Sequence, residues 1–110
     1  METCYKNVES EEEYEKALEE NEYVFAIYSA QWCGPCRSFK KWLNEEYMSY
    51  PYPILIVDVE KWEDLAKDVS ALPTMKVFHN KDDIVLQTEG FDKQKLKQVF
   101  DKYLDTSNLS

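Results

Sequence analysis

The sequence predicts an α/β architecture, a mixed central sheet with helices packed against it, in the order β-α-β-α-β-α-β-β-α. Three observations carry this. Short runs rich in branched and aromatic residues alternate with amphipathic segments, a pattern that needs parallel strands joined by helical crossovers. Near the end of the chain two strand-like runs follow one another across a polar turn, so the last pair is an antiparallel hairpin. The 110 residues, 44% of them hydrophobic and only two of them glycine, suit one domain around one core over residues 1–110, with no repeat or low-complexity linker.

A first strand is expected from Thr3 to Val8. Glu9 to Glu22 reads as an acidic helix, with Ser10 and Glu13 at capping-box spacing and Tyr14, Ala17 and Leu18 in one apolar stripe. Tyr23 to Ser29 has the branched and aromatic content of a buried strand. The run Trp32, Cys33, Gly34, Pro35, Cys36 opens the next helix. Pro35 pre-sets its first turn, Phe39, Trp42 and Leu43 recur at helical spacing, and the helix reaches about Tyr47. Tyr50, Pro51 and Pro53 break the chain before a second buried strand, Ile54 to Val59.

A third helix is expected next, with Trp62, Leu65, Ala66 and Val69 on one face, and Pro73 marks the entry to a strand from Thr74 to His79. Lys81, Asp82 and Asp83 make the turn, Ile84 to Thr88 completes the hairpin, and Gly90 ends it. Asp92 caps a last helix whose Leu96, Val99, Phe100, Tyr103 and Leu104 face the core, and Phe91 and Leu96 are spaced for a hydrophobic staple. Residues 105–110 are polar and are expected to fray.

Chemistry concentrates in Cys33 and Cys36, two thiols three residues apart where a strand gives way to a helix. The first turn of a helix offers unpaired backbone N–H groups and a partial positive charge, both of which favour a thiolate. A free cysteine titrates near a pKa of about 8.5, and lowering that to about 7 takes about 2 kcal/mol. A helix terminus supplies about 0.3 to 1 kcal/mol, so local hydrogen bonds must supply the rest. Cys33 is placed to collect them and is read as the exposed nucleophile, with Cys36 one turn further in as the resolving thiol. Side chains three apart on a helix lie about 5 to 6 Å from each other, close enough for a disulfide to close without refolding.

The net charge of −9 argues against nucleic acid and anionic membrane surfaces as partners. The N-terminus carries no apolar signal segment and no stretch is long enough for a membrane span, which points to the cytoplasm, where a lone C-x-x-C is catalytic more often than structural. Zinc is disfavoured because a closed site needs four ligands, and only Cys4 and His79 stand beside the pair. Cys4 reads as a small buried or half-buried residue, and His79 as a strand-end histidine remote from the motif.

With WCGPC after a strand, a Leu72-Pro73-Thr74 step and Gly90 after the hairpin, the chain resembles the thioredoxin family over nearly its full length. The resemblance implies the thioredoxin fold, with a five-stranded sheet flanked by four helices. It implies reduction of protein disulfides by dithiol–disulfide exchange, Cys33 attacking, with protein disulfides as substrates and no cofactor. Thioredoxin reductase or a glutathione-linked system would be the electron donor, and the protein would be a monomer. Pro73 would be cis beside the cysteine pair, and the backbone of Leu72 would pair with an extended segment of the partner. Trp32 would lie beside Cys33 and line the groove, with Gly34, Ala71 and Gly90 keeping its floor shallow. The Gly34-Pro35 pair resembles the reducing members. An oxidase or isomerase, or a redox-gated binding module without turnover, stand as alternatives.

Three positions depart from that pattern. Ile27 stands six residues before Cys33, where thioredoxins commonly bury an aspartate thought to help proton transfer, and the lysine often found near it is absent from the apolar run Ile54 to Val57. Losing both is consistent, since either charge buried alone would cost several kcal/mol. Lys41 replaces a proline that bends the motif helix, so that helix is expected to run straighter. The turn Asn80 to Asp83 lacks the usual glycine.

Overall fold

The computed structural model describes residues 3–107. The strands β1 (Lys6–Asn7), β2 (Tyr23–Ser29), β3 (Ile54–Asp58), β4 (Thr74–His79) and β5 (Asp83–Glu89) form one sheet in the order β1-β3-β2-β4-β5. β1, β3 and β2 run parallel, β4 is antiparallel to β2, and β5 is antiparallel to β4. The helices α1 (Glu11–Glu20), α2 (Gly34–Glu46) and α3 (Lys93–Ser107) flank the sheet, together with a 3-10 turn at Glu63–Ala66.

The strict alternation of side chains along each strand divides the core into two layers. Phe25, Ile27, Ile54, Ile56, Met75 and Val77 point to the side covered by Phe39, Trp42 and Leu43 of α2 and Leu96, Val99 and Phe100 of α3. Val24, Ala26, Tyr28, Leu55, Val57 and Phe78 point to the other side, under Tyr14 and Leu18 of α1 and the residues around the 3-10 turn. Phe25 stacks on Phe100 at 5.0 Å and meets the edges of Tyr50 at 5.3 Å and Tyr103 at 5.4 Å. Truncation at such a position costs about 3 to 5 kcal/mol.

The ends of the helices follow the expected chemistry in part: the Ser10 half of the capping box forms, Ser10 Oγ accepting from Glu13 N at 3.1 Å, while the Glu13 side chain turns to Lys6 Nζ, 3.7 Å away. Asp92 Oδ1 accepts from Gln94 N and Lys95 N, and both Phe91 and Leu96 join the layer under α2 and α3. α2 runs unbroken across Lys41.

Three expectations need correction. The fourth flanking helix is a 3-10 turn of four residues, Glu63–Ala66. Its apolar residues Trp62, Leu65, Ala66 and Val69 do pack on the sheet. The Trp62 indole, however, donates to Val8 O at 2.9 Å, and Leu65 N and Val69 N bond carbonyls three residues back, so the turn stays tight and short. The first strand shrinks from Thr3–Val8 to Lys6–Asn7, which pair with Leu55 and Ile56; Cys4 N turns to Asn44 Oδ1 of α2, and Val8 N still reaches Ile56 O at 2.9 Å. Residues 105–107, expected to fray, continue α3, and residues 108–110 lie outside the described residues. The turn without glycine places Asn80 (φ 51°) and Lys81 (φ 79°) in the left-handed region. Asparagine tolerates that conformation, while Lys81 does so at a cost and is tied down through Nζ to Glu19 Oε1 at 3.3 Å.

Tyr28 lies wholly buried in the second layer with its hydroxyl 3.1 Å from that of Tyr14. Burial, then the neighbouring Tyr14 and the charge of Asp68, push the Tyr28 phenol far above its ordinary range. The folded state therefore holds the proton more tightly than the unfolded chain. Its contribution is fully present below a pH of about 10 and is lost as pH rises further, by at most about 1.36 kcal/mol per pH unit for this one group. Stability measured by denaturant unfolding across alkaline pH should fall less steeply in Tyr28→Phe than in the wild type. Identical slopes would show that the phenol ionises without unfolding.

Candidate active site

β2 is hydrogen-bonded on both sides and buried on both faces, so its end at Ser29 is a fixed point. From there Cys33 N donates to Ala30 O at 3.2 Å, and Arg37 Nη1 donates to Gln31 O at 2.8 Å, which folds the four linking residues onto the start of α2. Cys33 is the N-cap of that helix and Pro35 occupies its first turn. Cys33 and Cys36 form a disulfide, with Cα atoms 5.3 Å apart, and Cys33 Sγ accepts from Cys36 N at 3.2 Å. The sulfur thus sits where an N-cap oxygen ordinarily sits.

Cys33 is only 4% exposed and Cys36 1%, so neither is open in this oxidised state, contrary to the expectation of an exposed Cys33. Ala30, Val59 and Leu72 pack around the pair. Of the two, Cys33 is the one that lines a cleft, open and of ≈ 460 Å³, together with Trp32, Gly34 and Pro35 of the motif and Val59, Val69, Ser70, Ala71 and Leu72 of the segment before β4.

Trp32 is 67% exposed, and its Nε1 donates to Glu60 Oε1 at 3.0 Å. The Leu72-Pro73 peptide is cis, Thr74 Oγ1 donates to Ala71 O at 2.6 Å, and Gly90 N donates to Pro73 O at 2.8 Å. Gly90 therefore acts through the backbone beside Pro73, at φ 83°, and is not among the residues lining the cleft. The other residues singled out lie elsewhere. Cys4 is half-buried beside α2, its N donating to Asn44 Oδ1 at 3.0 Å, and burial pushes its thiol pKa up. His79 stacks on Tyr23 at the far end of β4, at 4.5 Å between ring centres.

Residues 6–102 match the sequence model of the family described as Thioredoxin. The chain belongs to the thioredoxin family. Thioredoxin 1 of Plasmodium falciparum is 30% identical over 101 residues, covering 89% of this chain and 96% of its own. Human thioredoxin is 32% identical over 104 residues, covering 88% and 96%. In structure, poplar thioredoxin h matches with a TM-score of 0.83 at 26% identity, over 93% of this chain and 97% of that one. With its redox-active cysteine pair, this thioredoxin-family chain is a thiol–disulfide oxidoreductase that reduces disulfides by dithiol exchange.

Position 27, six residues before Cys33, lies in the apolar layer of the sheet. Ile27 is 1% exposed and shares its layer with Ile54 and Ile56, so no acidic group stands where a buried aspartate is common. Sequence reasoning missed Glu60, Arg37 and Asp68. Glu60 follows the acidic end of β3, a signal without direction until the Asp58 carboxylate is seen to accept from Glu60 N at 2.9 Å and turn the chain toward Trp32.

The two glycines of the chain should respond differently to alanine. At Gly90 an added Cβ meets nothing within 4 Å, so the cost is the left-handed backbone alone, about 1 kcal/mol. At Gly34 the nearest atom is Arg37 Nη2 at 4.0 Å and the backbone is helical, so Gly34→Ala should be neutral within about 0.5 kcal/mol. Chemical denaturation of the two variants checks this, and equal losses would contradict it.

Proposed function

We propose that Cys33 is the attacking thiolate and Cys36 the resolving thiol in the reduction of protein disulfides docked along the cleft between Trp32 and the Leu72-Pro73-Thr74 step. The observation that carries the reading is the Cys36 N–H aimed at Cys33 Sγ at the N-terminus of α2. In the reduced protein that donor faces a thiolate. A hydrogen bond to a charged group contributes about 1.5 to 3 kcal/mol net, and the helix terminus about 0.3 to 1. Together these cover the roughly 2 kcal/mol needed to bring a thiol from a pKa of about 8.5 to about 7.

Cys33 then attacks one sulfur of the partner disulfide, forming a mixed disulfide and releasing the other partner sulfur as thiolate. Cys36 gives up its proton and attacks Cys33 Sγ, which releases the second partner thiol and closes the Cys33–Cys36 bond. Two electrons have moved to the partner. A reductase, either thioredoxin reductase or a glutathione-linked one, returns them, in a reducing compartment such as the cytoplasm, with this chain working as a monomer. Trp32, Gly34, Pro35, Ala71 and Leu72 line the docking groove, Pro73, Thr74 and Gly90 support it through the bonds of Gly90 N to Pro73 O and Thr74 Oγ1 to Ala71 O, and recognition rests on backbone pairing at Leu72 more than on side-chain pockets.

Insulin reduction driven by dithiothreitol tests the assignment. Cys33→Ser should lose the activity, and Cys36→Ser should accumulate a mixed disulfide at Cys33, identified by mass. Turnover that survives Cys33→Ser refutes the assignment. With Ile27 in place of an acid, water or the departing partner thiolate takes the Cys36 proton. Ile27→Asp should therefore speed single-turnover resolution near neutral pH and alter its pH dependence, while the buried charge lowers stability by several kcal/mol. Unchanged rates and pH profile would rule out this proton route.

A further inference from the structure

Lys76 lies on β4, two residues beyond Thr74, with its side chain only 5% exposed. By register it pairs with Ala26, and its Nζ lies 5.0 Å from the centre of the Tyr28 ring, so it points into the layer opposite Ile27. Nζ donates to both carboxylate oxygens of Asp68, each at 2.8 Å. An apolar side chain of similar volume would be cheaper at the centre of a sheet, because a buried ammonium is tolerated only when its partner geometry is good. Asp68 immediately precedes Val69, Ser70, Ala71 and Leu72, all four of which line the cleft. That stretch has no strand or helix of its own. Asp68 is 66% exposed, and the hydrogen bond from Lys76 holds its carboxyl below the ordinary carboxylate range, so its carboxylate stays ionised at neutral pH.

We infer that Lys76 and Asp68 form a strut that fixes the 69–72 wall of the cleft to the sheet, making both of them positioning residues for the docked protein disulfide. The inference rests on the reading of the cleft as the docking groove. The strut touches neither sulfur. Its loss should loosen the wall that meets an extended partner while leaving the thiolate and its hydrogen bond intact.

The test compares insulin with the small disulfide dithiobis(nitrobenzoate) as oxidants of the pre-reduced protein in stopped flow. Asp68→Asn should raise the half-saturating insulin concentration about three- to tenfold, leave the limiting rate within about twofold, and leave the rate with the small disulfide unchanged. Asp68→Glu, which keeps the carboxylate, should restore insulin binding, and Lys76→Met should reproduce Asp68→Asn. Trp32→Ala serves as the control for the groove. If Trp32→Ala weakens insulin binding and Asp68→Asn does not, the strut is overturned while the groove stands. Should neither variant weaken it, the groove reading fails and takes the strut with it. Equal slowing with both oxidants, or no recovery in Asp68→Glu, also overturns the inference.

Discussion

The placement of one sulfur at the first turn of α2 is the constraint on which the rest of the structure depends. A thiolate there gains from the helix terminus only within the first turn, so the junction between β2 and α2 must be rigid to a fraction of an ångström. β2 supplies that rigidity by being the central strand, paired with β3 on one side and β4 on the other. Val59 N bonds Ser29 O at 2.9 Å and Cys33 N bonds Ala30 O, so the end of the strand and the start of the helix share one network. Pro35 fits the same logic. A proline in the first turn removes an N–H that had no intrahelical partner, and leaves the Cys36 N–H as the donor that meets Cys33 Sγ.

Polar chemistry is divided unequally between the two faces of the sheet. The face under α2 carries Ile27, Ile54, Ile56 and Met75, and holds no ion pair near the cysteine pair among the described residues. The opposite face holds Lys76, Tyr28 and Tyr14 in one buried polar group that ends at Asp68. A buried charge raises the cost of a neighbouring charge of like sign and lowers that of an opposite one. The cysteine pair therefore meets the helix start and its Cys36 N–H, while the ion pair lies in the layer on the other side of the sheet.

Most of the fold was legible because its elements announce themselves in period and caps. Tyr23 to Ser29, the start of α2 at Gly34 and the Asp92 cap all stand where the residues place them. Where reading failed, local pattern underdetermined the outcome. Trp62, Leu65, Ala66 and Val69 share a face in an α-helix and in a 3-10 turn alike, and the choice was made by the Trp62 indole bonding Val8 O, a partner 54 residues away. The covering of Cys33 by Val59 and Leu72 is equally non-local. Lys76 sits in a run, Thr74 to His79, whose alternation cannot reveal that its buried ammonium has a carboxylate to meet, because Asp68 belongs to a segment whose path no periodicity fixes.

That segment sets a wall held by few contacts beside the firmly held cysteine pair. Between β3 and β4 the chain is held by side-chain bonds more than by a ladder: Asp58 to Glu60 N, Trp62 to Val8 O, Lys76 to Asp68, and Thr74 to Ala71 O. Each such bond contributes about 0.5 to 1.5 kcal/mol net, more where charge is involved, against the many cooperative bonds that fix β2. Regions held in this way open at lower free energy than the core. The cysteine pair therefore keeps its geometry on the strand network, while the position of the wall from Val69 to Leu72 is set by few enough contacts for single residues to tune it.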